Sequence, residues 1–116
     1  MQATAKARFI RQSPRKVRQV LDLVRGKQVE KALNTLHFMP KKAARVIEKT
    51  IHSAVANAVN RDGAKVNADD LFVHAAFCDE GPRWRRFKAR AQGRVNVRRQ
   101  RSSHLTIVVA DKEKNL

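Results

Sequence analysis

The chain has 116 residues, with 26 Lys or Arg against 10 Asp or Glu, a formal net charge of +16 and a pI near 11.5. That length makes one domain with a modest core, and a field of this size favours a polyanionic partner while saying little about fold. No apolar run reaches membrane-spanning length, the basic stretches lack the wide apolar face of an interfacial anchor, and the single cysteine, Cys78, excludes an internal disulfide.

The opening residues, MQATAKARFI, hold neither the apolar centre of a signal peptide nor the length of a transit sequence, so a cytoplasmic address is expected. Residues 4–9 alternate weakly and predict a short strand. A helix follows, with Ser13 as N-cap, Pro14 at its first position and Gly26 as the stop. Its apolar stripe is Val17, Val20, Leu21 and Val24. The other side holds Arg15, Lys16, Arg18 and Gln19, next to Arg8 and Arg11, and this basic side is expected to meet RNA. Val29, Ala32, Leu33 and Leu36 mark a second, short helix that ends before Pro40. The third runs over roughly residues 41–60 and buries Ala43, Ala44, Ile47, Ile51, Ala54, Val55, Ala58 and Val59. Its many alanines predict close approach to a neighbouring helix or sheet. Residues 61–63 end it, 65–70 form a polar connection, and 111–116 read as a fraying tail.

Between two apolar runs of strand character, residues 71–78 and 105–110, lies the sequence GPRWRRFKARAQGRVNVRRQRSS, residues 81–103. It has nine cations (Arg83, Arg85, Arg86, Lys88, Arg90, Arg94, Arg98, Arg99 and Arg101) and no acid. Read as one long β-hairpin in register about Ala91, it sets Phe77 opposite Leu105, Ala75 opposite Ile107 and Val73 opposite Val109. Further out, Phe87 then faces Val95 and Lys88 stands beside Arg94, with Gly93 at the end of a short loop. Side chains alternate across a strand, so Arg83 and Arg85 point to one face and Arg86, Lys88 and Arg90 to the other. A ribbon basic on both faces cannot lie on a protein core, and like charges on adjacent strands repel. An anionic surround is therefore required, and arginine's planar fork suits phosphate and base alike. Trp84 and Phe87 within the run argue against a disordered basic tail.

No reaction centre emerges. His74 and Cys78 share one strand face but lie about 13 Å apart at about 3.3 Å per residue, too far to share a zinc. His37 and His52 sit on different helices. His104, near Asp79 and Glu80, could in principle cleave RNA by acid–base catalysis; the favoured reading is a hinge that orients the hairpin. The glycines are scattered singly and make no phosphate-cradling loop. No catalytic residue, cofactor, metal or small-molecule substrate is expected, and no membrane. A DNA-bending protein with a β-arm is the nearest rival, yet the tip, Arg90-Ala91-Gln92-Gly93-Arg94, has no apolar wedge. A helix-turn-helix over residues 13–36 would offer only Glu30, Lys31 and Asn34 as a reading face.

Several stretches together resemble one family. Ser13-Pro-Arg-Lys-Val-Arg with Asp22-Leu-Val-Arg-Gly-Lys27, Pro40-Lys41-Lys42-Ala-Ala, Ser53-Ala-Val-Ala-Asn-Ala58, Asp79-Glu-Gly-Pro82, Arg86-Phe87, Arg90-Ala91, Gly93-Arg94 and Arg101-Ser-Ser-His-Leu-Thr106 are similar, in order, to bacterial large ribosomal subunit protein twenty-two. The resemblance implies an α+β fold, three helices on a small antiparallel sheet with a protruding basic hairpin. It implies a single domain, residues 1–116, with the globular body in 1–80 and 104–116 and the hairpin in 81–103. It further implies a structural, non-enzymatic part of the cytoplasmic ribosome. The body would bind 23S rRNA near the peptide exit, and the tip (Lys88, Ala89, Arg90, Ala91, Gln92, Gly93 and Arg94) would line the tunnel. Implied partners are that RNA, the nascent polypeptide and other large-subunit proteins, including protein four across the constriction. The residues expected to touch RNA are Arg8, Arg11, Ser13, Arg15, Lys16, Arg18, Lys27, Lys41, Lys42 and Arg101, and along the hairpin Arg83, Trp84, Arg85, Arg86, Lys88, Arg90, Arg94, Arg98 and Arg99.

Overall fold

Three apolar side chains of one strand, Leu105, Ile107 and Val109, are completely buried, and the molecule is assembled around that strand. The computed structural model describes residues 2–60, 68–82, 84–89 and 95–111. In chain order it has β1 (Gln2–Ile10), α1 (Pro14–Leu21), α2 (Val29–His37), α3 (Lys42–Val59), a short 3-10 turn (Ala68–Asp70), β2 (Leu71–Glu80), β3 (Trp84–Ala89), β4 (Val95–Gln100) and β5 (Ser103–Asp111). β5 is the middle of a three-stranded antiparallel sheet ordered β1-β5-β2, and β3 pairs with β4 alone. α3 packs on β1 and β5, α1 on β2 and α3, and α2 on α3. This is the expected α+β architecture.

Eight residues are too few for a helix to persist on its own, so α1 depends on its buried stripe. Val17, Val20, Leu21 and the following Val24 are all at most 1% exposed, and each contributes about 1.5–3 kcal/mol on burial. The helix ends at Leu21, short of the expected stop at Gly26. Residues 22–27 continue as tighter turns, with Leu23 N–H bonded to Val20 O and Val24 N–H to Leu21 O. The tightening carries the chain to β2, where Gly26 N–H donates to Val73 O and Val73 N–H to Lys27 O. Gly26 does take a left-handed backbone, φ 81°. α3 follows the expected span and stripe with one exchange. Thr50 is buried, its hydroxyl returned to Val46 O at 2.8 Å, whereas Val59, at the helix end, is 41% exposed.

The β2–β5 register corrects the sequence reading. Val73 does face Val109, but a bulge between Val73 and Ala75 shifts the remainder, so that Ala76 pairs with Ile107, Phe77 with Thr106 and Cys78 with Leu105. One extra residue reverses which side chains point inward. Ala76 and Cys78 are therefore buried and Phe77 is 45% exposed, the opposite of an unbroken alternation. The same bulge sets His74, also exposed, and Ala75, half-buried, outside the helix-facing row.

Nor is the hairpin one continuous ladder. It is interrupted at Gly81–Pro82 and Arg101–Ser102, where Gly81 N–H donates to Ser102 O at 2.9 Å and the Ser102 hydroxyl to Pro82 O at 2.6 Å. Pro82 has no N–H to continue the pairing. Beyond this neck Trp84 pairs with Gln100, Arg85 with Arg99, Arg86 with Arg98, Phe87 with Val97, Lys88 with Asn96 and Ala89 with Val95. Phe87 thus faces Val97 rather than Val95, and Lys88 faces Asn96 rather than standing beside Arg94. The β3–β4 register is offset from the expected one by two residues in sum, one from the bulge after Val73 and one from the neck.

Candidate nucleic-acid interface

Most body cations expected to meet RNA are exposed: Arg8 on β1, Arg11 just after it, Arg15 and Lys16 on the first turn of α1, Lys27, Lys41 and Lys42 around the starts of α2 and α3, and Arg101 at the neck. None of them forms an ion pair with a described carboxylate. The ion pairs among described residues are Arg25–Asp22 (2.6 Å), Arg45–Glu48 (3.1 Å) and His37–Glu48 (3.7 Å). Asp22 and Glu48 are thus engaged by Arg25, Arg45 and His37, and not by the cations expected to bind RNA.

The fold gathers some of these groups and separates others. Ala7 pairs with Leu105 and Ile10 with Ser103, which brings Arg8 and Arg11 to the start of β5, beside Arg101 and the root of the ribbon. Arg15 and Lys16 follow within the next turn. Lys27 stands at the far end of β2, by Val73, and Lys41 and Lys42 begin α3. Ser13 is at the N-cap and half-buried, yet its hydroxyl makes no capping bond; its backbone oxygen accepts from Lys16 and Val17 N–H. Arg18 has a structural occupation. Its Nε and Nη2 donate to Cys78 O at 3.0 and 2.7 Å. On the ribbon, Trp84, Arg85, Arg86, Lys88 and Ala89 lie on β3 and Arg98 and Arg99 on β4, while Arg83, Arg90, Ala91, Gln92, Gly93 and Arg94 lie outside the described residues.

Three further residues shape this surface: Arg25 and Phe9, which the sequence reading did not single out, and His104, which it read as a hinge. Arg25 Nε donates to Ala76 O at 2.9 Å, so Arg18 and Arg25 together cover the outer edge of β2. His104 pairs with Asp79 across the sheet, and its Nδ1 accepts a hydrogen bond from Phe9 N–H at 3.1 Å. The imidazole thus ties the end of β1 to the start of β5, and its engaged Nδ1 leaves the ring proton of the neutral form on Nε2. Phe9 itself has φ 58° and is 58% exposed. Only the local loss of alternation around Arg8-Phe9-Ile10 hinted at it.

Below the neck, Cys78 is buried, and burial pushes its thiol above the ordinary value of 9.0. The Ser103 side chain and the Arg18 charge act in the other direction. A protonated, enclosed thiol is a packing group, not a nucleophile. Among the described residues no cluster of His, Cys, Asp and Glu could hold a metal ion, and no described helix is long and apolar enough to cross a membrane. The chemistry of the site is therefore charge, hydrogen-bond donation and aromatic contact.

Comparison with known proteins agrees with that chemistry. The sequence model of the family described as Ribosomal protein L22p/L17e matches residues 5–110. The chain is 50% identical over 113 residues to the large ribosomal subunit protein uL22 of Pelotomaculum thermopropionicum, covering 97% of this chain and 98% of that one. It is 51% identical over 113 residues to the protein of the same name from Thermoanaerobacter sp. strain X514, covering 97% and 100%. With that of Thermotoga sp. strain RQ2 it shares 46% over 114 residues, 98% of this chain and 70% of the relative.

Proposed function

From its membership of the ribosomal protein L22p/L17e family, which makes the chain a structural constituent of the large ribosomal subunit and not an enzyme, we propose that it binds 23S rRNA with its body and neck and threads its basic ribbon through that RNA to the peptide exit tunnel. The observation that carries this reading is the register of the ribbon. Arg85 is paired with Arg99 and Arg86 with Arg98. Like charges directly opposed destabilise a strand pair, and a lone two-stranded ribbon is marginal to begin with. Phosphate on both sides removes the repulsion and supplies the missing burial.

The division of labour follows the charge. The body, residues 1–80 and 104–116, anchors through Arg8, Arg11, Arg15, Lys16, Lys27, Lys41 and Lys42, and the neck adds Arg101. Arg18 retains guanidinium donors beyond the two given to Cys78 O. The ribbon, residues 81–103, enters the RNA, and residues 88–94 face the nascent polypeptide opposite protein four. The cytoplasmic ribosome is then its place of work.

Salt dependence tests the RNA reading. Each phosphate contact contributes about 0.7 to 0.9 to the log–log slope of affinity against salt. Binding of the free chain to transcribed 23S rRNA is measured between 50 and 300 mM KCl, beside a chain lacking residues 84–100. The shortened chain is expected to show a shallower slope by several contacts. Equal slopes would exclude the ribbon from the RNA, and absent binding by the full chain would overturn the reading.

A further inference from the structure

β1 places Ala3 and Ala5 against the helices, both buried, and by simple alternation Phe9 would point the same way. It does not. Among the described residues Phe9 is the one non-glycine with a positive φ, 58°, and the pairing of β1 with β5 loses its register between Ala7 and Ile10. The ring is turned to the other side of the sheet, against His104, with centroids 4.9 Å apart and planes at 89°. A bulky side chain in the left-handed region is a backbone outlier, and such outliers gather at binding sites. Burial cannot be the compensation here, since the residue is 58% exposed. The conformation is instead locked from the backbone, through Phe9 N–H to His104 Nδ1 at 3.1 Å, and from the next turn, through Gln12 N–H to Ile10 O at 2.8 Å. The buried side-chain oxygen of Gln12 has no hydrogen-bond partner among the described residues, a second local rule broken within three positions.

The surroundings select the occupant. Arg8 precedes Phe9 on β1, Arg11 follows two positions later, and Arg101 lies two residues before Ser103, the partner of Ile10. All three are exposed and none is ion-paired with a described carboxylate. They outnumber the two acids across β5, Asp79 opposite His104 and Glu80 opposite Ser103. An aromatic face held in a fixed position among guanidinium groups is the arrangement that stacks an unpaired base while cations hold its phosphates. An apolar protein segment would leave those charges unanswered. We propose that Phe9, braced by His104, is a stacking platform for a single unpaired RNA base at the neck of the ribbon, with Arg8, Arg11 and Arg101 on the adjoining phosphates. This rests on the RNA-binding reading above and assigns it a base contact.

Three variants, Phe9→Gly, Phe9→Leu and Phe9→Trp, are compared with the native chain for binding to transcribed 23S rRNA, after circular dichroism has established that each is folded. Stacking on one base is worth a factor of about 5 to 150 in affinity. Phe9→Gly, which suits the backbone but removes the ring, and Phe9→Leu, which keeps apolar bulk without an aromatic face, are both expected to lose about that factor. Phe9→Trp is expected to bind within about threefold of native, and the salt slope should be the same for all four because no phosphate contact is removed. Native-like affinity in Phe9→Gly or in Phe9→Leu overturns the platform while leaving RNA binding intact. Failure of the native chain to bind removes the reading beneath it, so the two failures are distinct.

Discussion

A Cβ added to Gly81 would stand 2.6 Å from Ser102 Oγ, 3.2 Å from the Ser102 carbonyl carbon and 3.3 Å from His104 Nε2. The hydroxyl cannot easily retreat, because it donates to Pro82 O at 2.6 Å. Gly81→Ala is therefore expected to cost about 1–3 kcal/mol by overpacking, read from urea unfolding. In a Ser102→Ala background the added cost should be smaller, since the nearest obstacle is gone; full additivity in that cycle would contradict the contact. Gly26 is glycine for another reason: a Cβ there meets nothing within 4 Å, but φ is 81°. Cys78 gives a pH dependence. Its folded value is raised by burial above 9.0, so the folded chain holds the thiol proton more tightly than the unfolded chain. The stability this brings is complete below the unfolded value and is lost as pH rises through the higher folded one. The urea midpoint of the native chain is expected to fall relative to that of Cys78→Val between pH 8 and 10.5. A constant difference between the two would mean that the thiol does not titrate with folding.

At the scale of elements, the outer edge of β2 is where the molecule protects itself from unwanted pairing. An edge strand offers free carbonyls to any passing strand, and here Arg18 and Arg25 occupy those of Cys78 and Ala76, while residues 26–28 bond to Val73 and bridge to Phe72. Hydrogen bonds from charged donors are worth about 1.5–3 kcal/mol when the site is shielded, and less at a partly exposed edge such as this. Arg18→Ala is expected to lower stability by about 1 kcal/mol or more, and Arg18→Lys to recover only part, because a lysine cannot make the two-pronged contact. Arg25→Ala should behave likewise. Urea unfolding gives the size of each effect, and faster amide exchange at residues 76 and 78 locates it. If exchange there is unchanged while stability falls, the arginines act elsewhere. Arg45 makes a comparable structure at the end of α2, where its Nη2 donates to the carbonyls of Leu36, His37 and Met39 at 3.1, 2.9 and 2.8 Å. Both cases show arginines holding the body together in a chain whose charge otherwise faces outward.

At the scale of the whole molecule, the radius of gyration is 17.7 Å and the principal extents are 67 × 28 × 23 Å, against a radius of about 13 Å for a compact chain near this length. The core lies in the sheet and helices, and the two-stranded ladder of β3 and β4 has no helix packed on it. Without RNA, amide exchange is expected to be slow in residues 17–21 and 107–109 and fast in 85–89 and 95–99. Strong protection of the ribbon in the free chain would show that it is stable without an anionic surround. Anchoring and tunnel function should separate in the same way. Replacing residues 88–94 with a short glycine-containing turn is expected to leave incorporation into large subunits nearly normal, since the body and neck keep most of the cations. Chemical reactivity of nucleotides at the tunnel constriction and stalling on narrow-passage peptides should change. Subunits lacking the shortened chain, or containing it with an unaltered tunnel, would refute this.

The sequence by itself determined the helices, the strands and the excess of positive charge. Apolar periodicity, Pro14 and the acid-free run of residues 81–103 are local signals, readable without knowing what they touch. Tertiary structure alone decided the rest. A single bulge after Val73 moved Phe77 outward and Cys78 inward, and the neck shifted the ribbon by one further residue, because strand facing depends on cumulative register that no local pattern records. The same is true of the arginines. Arg18 and Arg15 look alike on a helical wheel, and only the position of the β2 edge makes one of them a donor to Cys78 O and leaves the other to solvent. Phe9 is the extreme case, since its exposure follows from a backbone angle set by His104, 95 residues away in the chain.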